Sequence, residues 1–267
     1  MPRFTVWLQR HRLSAFFVVA YAISWSSWPL YAVGLMPQME FLPVGPLLAA
    51  LLVTGLAWGR SGLKAWGRRL IRWRVGWTWY AVALLLPPLM ALVAGFASMA
   101  LGAPASGLAE VTWSGLLTVF AVRLVNPMDG PLGEEPGFRG YAVPVLQTGR
   151  TPLQAAAILG VLVAGWHLPL VVFGHLSLIG LPTTFVITFL YVWLFNRTGG
   201  SVLLTLLFHD NQGTFTVGSF GFSGADSDRA ELIYFVVLVV AVLAVILLDQ
   251  DAWRPASAPA VGVRPHR

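Results

Sequence analysis

Apolar residues run along this chain in blocks long enough to be helices in lipid, separated by short polar or glycine-rich stretches. The blocks fall at about residues 13–35, 41–58, 77–101 and 111–125. A fifth follows the turn at 148–152 and ends near residue 173, and three more cover about 181–195, 201–217 and 231–248. This pattern predicts an all-α, polytopic transmembrane helical bundle of about eight spans. One block is irregular. After residue 125, positions 126–132 carry two prolines, a glycine and Asp129, and helical character resumes from Glu134 to Gln147. A helix interrupted at membrane depth is tolerated where protein or a water-filled cavity satisfies the freed backbone groups. The expected organisation is a single integral membrane domain over residues 1–249, with its core motif region at 111–217. Residues 250–267, rich in Pro and Ala, read as a disordered cytoplasmic tail.

Composition supports a membrane setting: 57% of residues are hydrophobic and only 10% charged, against about 25% charged in soluble domains. The formal charge of +6 could suggest nucleic acid. The basic residues, however, sit at the ends of apolar blocks, where anionic lipid and the positive-inside rule account for them, so no nucleic-acid partner is expected. Arg60, Lys64, Arg68, Arg69, Arg72 and Arg74 fall within 15 residues without an acid, which puts this loop on the inner side. Leu63, Trp66, Leu70, Ile71 and Trp73 interleave with them at helical spacing, as in a helix lying on the inner membrane surface; a solvated loop fits as well. Glu40, Glu110, Asp226, Asp228 and Glu231 fall in the outer segments, so both termini are expected to be cytoplasmic. The apolar block after Arg3, Arg10 and Arg12 reads as an uncleaved first span. There is no cysteine, which excludes disulfides and thiolate chemistry.

Against this background Gly133-Glu134-Glu135-Pro136-Gly137-Phe138-Arg139-Gly140 stands out, because ionisable groups at membrane depth are expensive and usually functional. Arg139 lies one helical turn after Glu135 and can pair with it, while Glu134 points about 100° away without a partner in its own segment. The spacing predicts a structural ion pair, Glu135 with Arg139, beside a free acid. Taking Arg150 as the inner turn, Glu134 and Glu135 lie 16 and 15 residues before it and His167 lies 17 after it, so an antiparallel pair brings all three to one depth. His209, 12 residues beyond Arg197, reaches roughly 18 Å at 1.5 Å per residue. It is followed by Asp210, Asn211 and Gln212. His175 is expected at the interface, and His11 and His266 are terminal.

The stretches GEEPGFRGYAVPVLQ, AGWHLPL and NRTGGSVLLTLLFHDNQG, with the basic GRSGLKAWGRRLIRWRVGWTWY before them, resemble the CPBP family of intramembrane proteases. This is the CAAX-protease and bacteriocin-processing (ABI) family, related to the eukaryotic prenyl-protein endopeptidase, and the resemblance covers about residues 58–217. It implies a membrane-embedded endopeptidase acting on membrane-associated, lipidated or hydrophobic protein substrates. Its functional positions fall on Glu134, Glu135, Arg139, His167 and His209. Two positions depart from the family pattern: Val163 replaces an aromatic residue, and Gly213 replaces the asparagine expected four residues after His209.

The resemblance implies that Glu134, helped by His167, activates a water while His209 steadies the developing oxyanion. With no side chain at Gly213, Gln212 or Asn211 would have to supply the missing donor, which requires the helix to loosen just after Asp210; Gln212 has the longer reach. A divalent metal such as zinc held by Glu134, His167 and His209 is the alternative to a glutamate-activated water, although HExxH is absent. Two other classes stay open: a non-catalytic membrane scaffold or chaperone on the same fold, fed by Gly213, and a transporter, which would also place Glu and His at a helix break.

Overall fold

A computed structural model describes residues 3–35 and 41–254, and all regular structure in them is helical. The chain opens with α1 (Arg3–Arg10), α2 (Arg12–Ser24) and α3 (Trp28–Ala32), followed by the long α4 (Gly45–Leu70) and α5 (Trp77–Ala100). Then come α6 (Trp113–Val125), α7 (Pro131–Gly137), a π-helical turn at Phe138–Ala142, and α8 (Val143–Leu146). The rest is α9 (Pro152–Trp166), α10 (Leu168–Val172), α11 (Gly180–Arg197), α12 (Val202–Thr214) and α13 (Ala225–Leu248). Gln250–Trp253, assigned by composition to the tail, form a 3-10 turn with Ala252 and Trp253 buried; residues 255–267, Glu40 and His266 lie outside the described residues.

The expected count of eight spans is not met. Among the described residues four helices are long and apolar enough to cross a membrane: Arg12–Ala32, Gly45–Leu70, Trp77–Ala100 and Gly224–Leu248. Of the other expected spans, α6, α9 and α12 have 13, 15 and 13 residues. At 1.5 Å per residue these reach only about 20–23 Å, short of a hydrocarbon layer of about 30 Å. α11 is longer, but its face from Ile187 to Phe195 is almost wholly buried in protein. α9, α11 and α12 are core helices, which the same composition describes equally well, whereas α6 is short and buries no residue.

Local sequence explains where the short helices begin. Thr112 accepts from the Gly115 N–H at the start of α6, and Ser201 accepts from the Leu204 N–H at the start of α12. Thr151 and Gln154 form a capping box with Pro152 in the first turn of α9. Their C-terminal ends converge. α6 stops before the Asp129 loop, α9 stops at His167, and α12 carries His209 near its end.

Side-chain bonds sort the connections into two ends. At one end Arg12 donates to Thr148, Arg69 to the Gly140 carbonyl, Ser201 to the Arg72 carbonyl, and Arg197 pairs with Asp249. At the other, Tyr31 meets His175, Ser177 donates to Glu231, and Ser106 donates to the Gly221 carbonyl. The basic stretch is helical as far as Leu70, and α4 bends at Gly59, whose φ of 58° and ψ of −149° suit glycine alone. Beyond the bend, Trp66 Nε1 donates to the Pro136 carbonyl at 2.9 Å and ties the basic arm to the motif segment.

Candidate functional site

The motif segment can sit deep in the protein because it has almost no side chains on one face. A Cβ on Gly133 would lie 2.5 Å from the Pro127 carbonyl oxygen and 2.6 Å from that of Pro43, and one on Gly137 would lie 2.4 Å from the Pro46 carbonyl oxygen. The glycines four apart let α7 press its backbone against the start of α4, the close approach that small residues permit between membrane helices. All of Gly133 to Ala142 is buried as a result.

Glu135, fully buried, accepts from Arg139 Nη1 at 2.8 Å through its Oε1, so the expected i, i+4 pair is present. The same oxygen also lies 2.9 Å from His209 Nδ1. An oxygen already accepting from a guanidinium is a carboxylate acceptor, so His209 Nδ1 carries a proton and Nε2 is turned away from Glu135. Glu135 thus positions two residues, where spacing foresaw one. Arg139 in turn lies 3.8 Å above the ring centre of Tyr191, a cation–π contact, and the Tyr191 and His209 rings are 5.5 Å apart. Tyr191 was not singled out by the sequence, since an aromatic residue inside an apolar block carries no signal of its own.

Glu134 points elsewhere, as the spacing requires. With His167 and His209 it lines a cavity of about 300 Å³ that Arg123, Asp129, Gly130 and Phe41 also border. A Cβ built on Gly130 would lie 3.2 Å from Glu134 Oε1 and 3.9 Å from His209 Nε2, so both atoms face the same spot, and only a glycine at φ 82° leaves that spot open. His167 Nδ1 lies 2.8 Å from the Val163 carbonyl oxygen, which can only accept, so Nδ1 is the protonated nitrogen and Nε2 is free. Trp166 and Phe41 flank this ring. Three elements, α7, the end of α9 and α12, therefore deliver one carboxylate and two imidazoles, each imidazole tethered through Nδ1.

The expected donors after His209 fare differently. α12 continues unbroken to Thr214, so the loosening after Asp210 does not occur. Asn211 Nδ2 donates to the Leu84 carbonyl on α5, which turns it away from the cavity. Gln212 borders a small adjoining cavity of about 100 Å³ together with Glu134, His167 and His209, and its Oε1 accepts from Tyr191 at 2.7 Å. The space beside Gly213 is filled by Arg123, whose Nη2 lies 2.3 Å from where a Cβ would stand. Arg123 attracted no attention as a lone charge in a short apolar block. Its relevance could have been read only from the missing side chain at Gly213. Among the described residues no group of three or more His, Asp or Glu side chains stands ready to hold a metal ion.

No curated protein matches this chain. Residues 112–210 match the family described as Rce1-like, type II CAAX prenyl endopeptidase. The match contains Arg123, Glu134, Glu135, Arg139, His167 and His209, and ends before Asn211, Gln212 and Gly213. The motifs and the match agree: over this stretch, which is less than half of the chain, the sequence is similar to the Rce1-like CAAX protease family.

Proposed function

We propose that the protein is an intramembrane endopeptidase that hydrolyses peptide bonds of membrane-associated, lipidated or hydrophobic protein substrates. The observation that carries this reading is the cavity of about 300 Å³ shared by Glu134, His167 and His209, with each ring held through Nδ1 so that Nε2 is available. Glu134 takes a proton from a water oriented by His167 Nε2. The water oxygen bonds to the scissile carbonyl carbon, and the carbonyl π electrons move onto its oxygen. Collapse of that oxyanion breaks the C–N bond, and Glu134 returns the proton to the leaving nitrogen, giving a carboxylic acid and an amine; the acid then loses its proton to water. His209 donates to the oxyanion when Nε2 carries a proton. Glu135 and Arg139 hold the frame.

The water is activated by Glu134 itself in this scheme, so exhaustive chelation should leave turnover unchanged; a loss restored by zinc would replace the mechanism. The proposed placement is integral to the cell membrane with both termini and the Arg60–Arg74 stretch cytoplasmic, supported by the basic end defined by Arg12, Arg69, Arg72 and Arg197. Reporter fusions near Arg68 and Thr148 should read inside and those near Gly107 and Gly224 outside, and an outward reading at Arg68 would overturn it. The function itself is tested by comparing the membrane proteome of cells carrying the wild type with that of cells carrying Glu134→Gln. A protein that accumulates uncleaved only with the variant identifies activity and substrate together, and identical proteomes would count against a protease.

A further inference from the structure

We infer that Arg123, reaching in from α6, is the second oxyanion donor of this site. The inference rests on the protease reading above. Arg123 borders the cavity that holds Glu134, His167 and His209, with its side chain 18% exposed. Two acids fix its position: Nη1 donates to Asp129 at 2.7 Å, and Nε lies 3.5 Å from the fully buried Asp210. The first is a hydrogen bond; the second is an ion pair only, with Nε and both Asp210 carboxylate oxygens buried without a hydrogen-bond partner. Nη2 has no hydrogen-bond partner among the described residues and is not one of the buried orphan atoms.

The place where Nη2 lies is informative. The guanidinium rests flat on the α12 backbone at Gly213, one helical turn after His209. A Cβ there would stand 2.3 Å from Nη2, 2.5 Å from Cζ and 3.0 Å from Nε. Any side chain at 213 and the present pose of Arg123 therefore exclude each other. The guanidinium thus takes the place that a side chain at 213 would occupy, next to the cavity that Arg123 borders. The chemistry also favours the guanidinium as donor. His209 can donate from Nε2 only when its ring is doubly protonated, because Nδ1 is committed to Glu135. A guanidinium is always charged and always a donor. Asp129 and Asp210 hold it in place before charge develops on the substrate, the condition under which a donor lowers the barrier.

The test measures kcat and KM on internally quenched peptides, prenylated and unprenylated, in detergent micelles. Arg123→Lys keeps a cation for Asp129 and Asp210 but loses the forked second nitrogen. Gly213→Ala removes no polar group and acts only by pushing the guanidinium aside. Each should lower kcat by roughly 10²–10³, the size expected for one oxyanion donor, while KM and folded yield stay near wild type. Arg123→Ala with Gly213→Asn places an amide in the vacated space and should recover at least about tenfold in kcat over Arg123→Ala alone. Folded Arg123→Lys and Gly213→Ala proteins with wild-type kcat would overturn the inference, as would a folded double variant that recovers nothing or losses confined to KM. A wild type that cleaves none of the peptides, prenylated or not, would instead bring down the protease reading on which the inference stands.

Discussion

α11 and α13 lie side by side, are both apolar along most of their length, and have opposite relations to their surroundings. Eight of the 18 residues of α11 are buried, in a nearly continuous run from Ile187 to Phe195, whereas α13 buries three of 24 and turns Val236, Val240, Leu243 and Leu247 outward. α11 supplies Tyr191, against which Arg139 and His209 pack, and α13 supplies a surface suited to lipid. Apolar composition tells where a helix can live. Only the spacing of its polar contacts tells whether it surrounds a site or faces the bilayer.

The largest effect that would sharpen this contrast comes from the centre of the site. Arg139→Ala strips Glu135 of its buried cation and Tyr191 of its stacked partner, and leaves an uncompensated charge of the kind that costs about 3–5 kcal/mol. Denaturation in detergent should show that loss, together with loss of cleavage, and a folded, stable Arg139→Ala protein would deny the pair its role. Next, Leu194→Ala in the buried face of α11 should cost about 2–5 kcal/mol. Leu243→Ala, half exposed on α13, should stay within about 0.5 kcal/mol. Equal costs for the two leucines would erase the distinction between core and lipid-facing helices.

A smaller effect is expected from Gln212→Ala. The substitution leaves the Tyr191 hydroxyl without its acceptor, worth about 1 kcal/mol, and should lower turnover far less than Arg123→Lys does. A greater loss from Gln212 than from Arg123 would move the donor role back to Gln212. The smallest effect lies at the periphery, where Arg197 bonds Asp249 and holds its carboxyl below the ordinary carboxylate range. A carboxyl depressed in the folded state adds stability above its unfolded pKa of about 3.8–3.9. That contribution fades as pH falls through the lower folded value. Asp249→Asn should therefore be slightly less stable than wild type near neutral pH and indistinguishable from it in strong acid, which thermal unfolding across pH would show.

Much of the site was readable from spacing alone. Glu135 and Arg139 pair because they are four apart, Glu134 is free because it is not, and equal distances from the turn at Arg150 bring His167 to the depth of the acids. The break before Pro131 was readable too, whereas the basic stretch, which fitted a helix and a loop equally, is helical as far as Leu70. What spacing could not give was the choice of partner across helices: that His209 belongs to Glu135, that Asn211 bonds Leu84, and that Arg123 fills the room left by Gly213. The span count failed for a related reason. A residue apolar because it faces lipid and one apolar because it faces Tyr191 look the same in one dimension.

The π-helical turn at Phe138–Ala142 bears on the phase of the motif. Such a turn carries one residue more than the α-helical turn it replaces, and Arg69 helps to hold it by bonding the Gly140 carbonyl. The widened turn takes up that residue locally, so α7 and α8 keep nearly the phase they would have in a regular helix one residue shorter. Winding the same residues into regular α-helix would instead rotate everything before the turn by about 100° relative to α8. That is also the angle separating Glu134 from Glu135. Which glutamate is the reagent is thus a matter of phase, kept by a turn that absorbs one surplus residue downstream.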